Sequence, residues 1–227
     1  MSNVYITFMN YTVVVIGVVL VILLYIIYGY IYSSKTTLAK QSSLKGKNPA
    51  IDIKNNPSST RYSYSMWVYI NTWNNTDDKV FFQRTLDDKR NDVKLYVDKT
   101  KPVLYFSVNN NSPIQITDNF PVQKWTFVLI SVDNQFVDSY LDGKLVRSTK
   151  LKKMPNHPSK KTQVKLGTGF DALITKFTHS DSPSNPQDVW SEYMSGNGGS
   201  MTKMKSGYNV NVTVLKNNVE KNKFSLV

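Results

Sequence analysis

The chain begins without any polar rhythm. From Met1 to Ser34 there is no charged side chain, and Tyr11 to Tyr32 is a 22-residue run dense in Val, Ile and Leu. As a helix it would extend ~33 Å, enough for a hydrocarbon layer of ~30 Å. From Arg61 the period changes to two. Tyr62, Tyr64, Met66, Val68 and Ile70 alternate with Ser63, Ser65, Trp67 and Tyr69, the pattern of a half-buried strand. Short strand patterns follow at 80–84, 93–98, 103–108, 114–117, 125–133, 136–142, 145–148, 163–166, 173–178 and 208–215. Turn residues punctuate them, notably Asp142-Gly143, a two-residue hairpin signal because a type I′ turn needs positive φ. The stretch 125–132 is apolar on both faces and is expected at the centre of a sheet. After the first segment one helix is predicted, Pro186 to Met194, with Asn185 as its N-cap and Gly196 as its stop. Many short strands at this spacing predict an all-β sandwich or barrel.

Three regions are therefore expected: 1–34 as a transmembrane anchor, 35–60 as a basic polar linker, and 61–227 as the β domain. A cleaved signal peptide would need a basic start, a shorter apolar core and a small-residue cleavage site. Nothing basic precedes this run, and Tyr crowds its end. Tyr11 at one end, and Tyr25, Tyr28 and Tyr32 at the other, suit the two interfaces of a bilayer. Gly17 has no glycine partner at GxxxG spacing. Lys35, Lys40, Lys45 and Lys47 follow the run and no Lys or Arg precedes it, so the positive-inside rule puts the C-terminal part on the cytoplasmic side. Those juxtamembrane lysines are candidates for anionic headgroup contact. A translocated C-terminal domain is the alternative. The linker, broken by Pro49 and Pro57, is expected as a tether, with Ile51 and Ile53 as an alternative short edge strand.

Composition narrows the chemistry. There is no Cys, and only two His and two Glu (Glu192 and Glu220) are present. That excludes disulfides and thiolate chemistry and leaves little for zinc or acid–base catalysis. The formal charge is +12, with 24 Lys against 4 Arg, 22 Asn and 3 Ala. The skew matches AT-rich codons, so part of the charge reflects genome composition. Some of it clusters: eight Lys/Arg and no acid lie between Lys144 and Lys165, including Lys150, Lys152, Lys153, Lys160 and Lys161. A solvated loop or an anionic partner surface, protein or lipid, explains such a run. Nucleic acid is the least favoured partner, because no aromatic or reading motif accompanies the charge.

The stretches QKWTFVLISVDNQFVDSYLDGKLVRS, VKLGTGFDALITKF and PQDVWSEYMSG, with YSMWVYINTW and VFFQR before them, resemble the laminin-G-like branch of the concanavalin A-like lectin/glucanase superfamily, most clearly over 61–196. The resemblance implies a two-sheet antiparallel jelly-roll sandwich, here preceded by one transmembrane helix. Joined to an anchor and an AT-rich bias, it is also similar to virion membrane or minor capsid proteins of large DNA viruses.

The superfamily's glucanases carry a Glu-x-Asp-x-x-Glu strand motif, which this chain lacks, so no enzyme activity, catalytic residue or cofactor is expected. Calcium, held by some relatives through clustered oxygens, has one candidate: Asp87, Asp88, Asn91 and Asp92, interleaved with Lys89 and Arg90 and more simply an ordinary solvated loop. Trp73 and Asn74 form a weak candidate glycan platform, though Trp73 is better explained by packing at the sandwich edge. His157 and His179 are expected as surface or edge residues. The expected function is a structural protein linking a membrane to a protein shell; in a virus, it would face the capsid from the virion inner membrane. A membrane-anchored lectin is the alternative.

Overall fold

The computed structural model describes residues 11–31, 35–74, 76–85, 91–109, 111–158, 162–198, 210–216 and 219–226. Helix α1 (Tyr11–Ile31) is followed by strands β1 (Lys35–Ser43), β2 (Ile51–Asp52), β3 (Arg61–Ile70), β4 (Lys79–Thr85), β5 (Asn91–Val97), β6 (Leu104–Val108) and β7 (Ile114–Thr117). Then come β8 (Thr126–Asp133), β9 (Phe136–Leu141), β10 (Lys144–Lys150), β11 (Gln163–Leu166), β12 (Ala172–Ser180), helix α2 (Pro186–Met194), β13 (Val210–Lys216) and β14 (Val219–Leu226).

Two six-stranded sheets form the sandwich. The first runs β1-β12-β3-β8-β9-β10 and the second β2-β11-β4-β5-β6-β7, while β13 and β14 pair as a separate hairpin. Every pairing is antiparallel. The inward faces meet in one apolar core, in which Met66, Val68, Phe82, Leu95, Phe106, Ile130 and Ile174 are almost wholly buried. This is the all-β class expected from the alternation and the two-sheet antiparallel sandwich that the resemblance implies. Strand β8 sits between β3 and β9, as its two apolar faces require. The Asp142-Gly143 hairpin has both residues at positive φ, 46° and 77°, the geometry of a type I′ turn.

The segment expected as a linker folds differently. Residues 35–43 are not a tether: β1 pairs with β12 from Lys35↔Ser180 to Ser43↔Leu173. Leu38 and Ala39 pack against the core, and Leu44 just beyond is fully buried. The strand was hidden because an edge strand shows one side to water, and its lysines guard that edge against further pairing. Ile51 does form the short edge strand allowed for, paired with Val164.

Helix α1 contains 21 residues, and the side chains described in it, Val14 to Tyr28, are all exposed. Among the described residues, no helix is long and apolar enough to cross a membrane.

Candidate functional site

Strand β3 was expected to be half-buried, yet both of its faces are covered. The inner face belongs to the core. The outer face lies under α2, where Val189 is fully buried and Trp67, Phe127, Leu129 and Tyr140 form a second apolar cluster. Trp67 stacks on Tyr193 with ring centroids 5.5 Å apart. The hairpin fits beneath the same helix: a Cβ on Gly143 would lie 2.8 Å from the Trp190 ring.

Each end of α2 is fixed by side chains. The Asn185 carboxamide oxygen accepts from the Asp188 amide at 2.9 Å, while its Nδ2 donates to the Asp188 carboxylate at 2.7 Å. This is a reciprocal N-cap, with Pro186 in the first turn. At the other end, Lys176 Nζ donates to the carbonyls of Ser195 (2.9 Å) and Gly196 (2.6 Å), placing a cation on the negative end of the helix dipole. Lys176 reaches there from a bulge in β12, where its φ is 48°. In mid-helix the Glu192 carboxylate accepts from Lys35 Nζ at 2.7 Å and closely from Ser65 Oγ. Glu192 therefore ties α2 to β1 and β3.

Between α2 and the outer face of β1 and β12 lies a cleft of about 910 Å³. Trp125 contributes an aromatic ring to its wall, Gln41 and Asn197 contribute amides, and Lys40 and Asp188 contribute opposite charges. That combination of ring, amides and charge can hold a polar ligand with an apolar face. Of the two carboxylates on α2, Asp188 caps the helix and Glu192 is paired with Lys35. Among the described residues no group of three His, Asp or Glu side chains could hold a metal ion.

The expected sites are scattered by the fold. Trp73 packs against the core with Lys79 Nζ 4.2 Å from its ring centre, while Asn74 is exposed. Of the lysines after α1, Lys35 pairs with Glu192, Lys40 lines the cleft, Lys45 pairs with Asp171 at 3.0 Å, and Lys47 is exposed. Lys45 and Lys47 follow the far end of β1, ~30 Å along the strand direction from Lys35. Tyr11 opens α1, Gly17 has open space around it, and Tyr25 and Tyr28 are exposed. Tyr32, Lys160, Lys161, Asp87 and Asp88 lie outside the described residues. Lys150, Lys152 and Lys153 are exposed at the end of β10.

Two residues read as surface features are interior. Asp92 is 4% exposed and holds the 2%-exposed Arg84. Its Oδ1 accepts from Arg84 Nε at 3.0 Å and its Oδ2 from Nη2 at 2.6 Å. A carboxylate so engaged is not a solvated calcium ligand. His179 is also buried, 5.0 Å from the Tyr64 ring centre. Burial first, and the Arg84 charge second, lower its pKa to about 4. The Arg84 guanidinium lies 4.0 Å from the centre of the Tyr62 ring. Burial raises the Tyr62 phenol to about 12, with the Arg84 charge opposing.

The residues that sequence reasoning missed are Gln41, Trp125, Lys176 and Asn197. Gln41 was read as linker, and Trp125 as the start of a strand. Lys176 carries no local signal, because only the bulge turns it toward α2.

No curated protein sequence matches the chain. Among solved structures, the botulinum neurotoxin serotype D ligand-binding domain in complex with N-acetylneuraminic acid has a TM-score of 0.55 at 16% identity, covering 70% of this chain and 43% of its own. The binding domain of botulinum neurotoxin DC in complex with rat synaptotagmin II gives 0.54 at 18%, covering 68% and 42%. Trypanosoma rangeli sialidase in complex with 2,3-difluorosialic acid gives 0.52 at 10%, covering 71% and 29%. The chain spans less than half the length of each, and at these identities the likeness is one of fold. Residues 45–190 match the laminin G family described as the concanavalin A-like lectin/glucanases superfamily. With most of both sheets inside that match, the chain belongs to this superfamily.

Proposed function

We propose that the chain is a single-pass membrane protein without catalytic activity, whose α1 holds the sandwich against a bilayer so that its outer surfaces bind a partner. The observation that carries this is the join. Only residues 32–34 separate a 21-residue uncharged helix from β1, and β1 is hydrogen-bonded into the sandwich along its length. Such a join fixes the domain at a surface instead of letting it range on a tether. The lysines that follow α1 in sequence favour a cytoplasmic sandwich during insertion, wherever they later lie in the fold. In a virion with an inner membrane, the same arrangement would join that membrane to the capsid. The test is alkaline carbonate extraction of membranes from expressing cells, with protease added to sealed vesicles. Retention in the pellet, with the sandwich digested from the cytoplasmic side, is the expected result. Release into the supernatant overturns the anchor, and protection of the sandwich overturns the orientation.

The cleft beside α2 favours a second reading of the partner as carbohydrate. Trp125 offers a ring for a sugar face, with Gln41, Asn197 and Asp188 nearby for hydroxyls. A glycan array with the full chain in detergent, repeated with Trp125→Ala, checks it. Binding that Trp125→Ala weakens by about tenfold or more supports a lectin, and binding to no glycan removes that reading.

A further inference from the structure

The register of the first sheet says at which end of the sandwich β1 begins. Lys35 is the first residue of β1, and its row across the sheet is Lys35↔Ser180↔Ser63↔Ser131↔Asp138. Two residues further toward the α1 side, the rim reads Arg61↔Asp133↔Phe136↔Lys150. The rim therefore projects ~7 Å beyond Lys35, opposite to the direction in which β1 runs.

That rim is both apolar and basic. Phe136 is 54% and Met154 50% exposed, and both line one shallow depression. Lys150 Nζ lies 5.8 Å from the Phe136 ring centre, and Lys152 and Lys153 continue outward from the strand. The loop is held in place. Leu151 is buried and donates its amide to the Gln135 carbonyl at 2.7 Å. Asn111 brackets Lys153, accepting its amide at 3.0 Å and donating to its carbonyl at 3.1 Å. The rim acids are engaged: Asp133 pairs with Arg61 at 2.9 Å and Asp181 accepts from Asn56 at 3.5 Å.

We propose that this rim rests on the lipid headgroup layer, with Phe136 and Met154 dipping into the interface and Lys150, Lys152 and Lys153 taking anionic lipid. The proposal depends on α1 being the anchor. The step from Ile31 to Lys35 reaches at most ~14 Å, and the rim recovers about half of that. With β1 running away from the bilayer, the rim stands no more than ~7 Å above the hydrocarbon, against a headgroup layer of ~6 Å on each side. Exposed aromatic side chains flanked by lysines suit that depth. Lysines this close to an anionic surface contribute to attraction and little to insertion itself.

The chain has no cysteine, so Phe136→Cys and Met154→Cys each give one attachment point for an environment-sensitive fluorophore. Val122→Cys, on the opposite rim just before β8, is the control. The full chain is reconstituted into phosphatidylcholine vesicles with and without phosphatidylserine, and flotation is measured on the same samples. The expected result is a blue shift and severalfold brightening at 136 and 154 but not at 122, strengthened by phosphatidylserine. The Lys150→Glu/Lys152→Glu/Lys153→Glu variant should lose the phosphatidylserine increment and still float. A chain that does not float overturns the anchor and the rim with it. A chain that floats while 136 and 154 report water overturns the rim alone.

Discussion

An ion pair lies on each side of the first sheet, and the two stand in opposite physical situations. Arg84 and Asp92, between the sheets, have side chains 2% and 3% exposed. Lys35 and Glu192, on the outer face beneath α2, are 40% and 17% exposed. The inner pair meets through two guanidinium nitrogens, whereas the outer pair meets through one ammonium. Inside, water cannot replace a lost partner, so each charge depends on the other. Outside, the cleft leaves Lys35 in contact with solvent, and screening weakens what the pair contributes. The interior pair thus bears on whether the sandwich stays closed, and the outer pair on where α2 sits.

The sharpest way to break this contrast is Asp92→Ala. It leaves a buried guanidinium uncompensated and should destabilise the protein by about 3–5 kcal/mol. Urea unfolding of the detergent-solubilised chain at neutral pH measures it. The double variant Arg84→Met/Asp92→Leu, which removes both charges and keeps apolar volume, should recover most of the loss. A cost for Asp92→Ala below about 1 kcal/mol, the range of exposed pairs, would show that water reaches the pair and the contrast is false.

His179 sharpens the same point through pH. Its ordinary pKa of 6.5 falls to about 4 in the folded protein. Between those values the unfolded chain binds a proton that the folded chain refuses, so stability falls as pH drops from 6.5 toward 4. The shift corresponds to a loss of at most about 3 kcal/mol. The carboxylates of Asp98 and Asp171, held below their usual range by hydrogen bonds, also lose stability in acid. The measurement is therefore a difference: unfolding free energy at pH 7 and pH 4.5 for the natural chain and for His179→Gln. The variant should show the smaller pH dependence. Equal dependence in both would mean that the ring is solvated and the interior beside Arg84 is open.

What could be read from the sequence divides along the same line. The period-two strands, the Asp-Gly hairpin and the span of α2 with its Asn185 cap were legible, because alternation and capping are local codes. Arg84–Asp92 was not, since a buried ion pair looks in sequence like two surface residues, and the pairing of β4 with β5 is what brings them together. Strand β1 escaped for a related reason: on an edge, with β12 on one side only, it needs few apolar residues. The cleft was illegible as a whole. Gln41, Lys176 and Asn197 come from three separate stretches that meet only once β1 and α2 have docked on β12. Glu192 stood out only as one of two glutamates outside any catalytic motif, and its place on α2 is what lets it tie the helix to β1 and β3.

The smallest expected effect tests the outer member of the comparison. A double-mutant cycle with Lys35→Met and Glu192→Gln isolates the coupling between the two side chains, because Gln keeps an oxygen for Ser65 while removing the charge. With Lys35 40% exposed, the coupling should be only about 0.2–1 kcal/mol and should shrink in high salt. A coupling of several kcal/mol, insensitive to salt, would mean that the cleft excludes water as the core does. The outer face would then be a closed seam and not a place where a ligand can enter. A small, salt-sensitive coupling leaves α2 seated by Val189 and the Trp67–Tyr193 stack, with Lys35 able to exchange its carboxylate partner for a ligand's charge. A weak outer pair is thus the property that a binding cleft on this face would require.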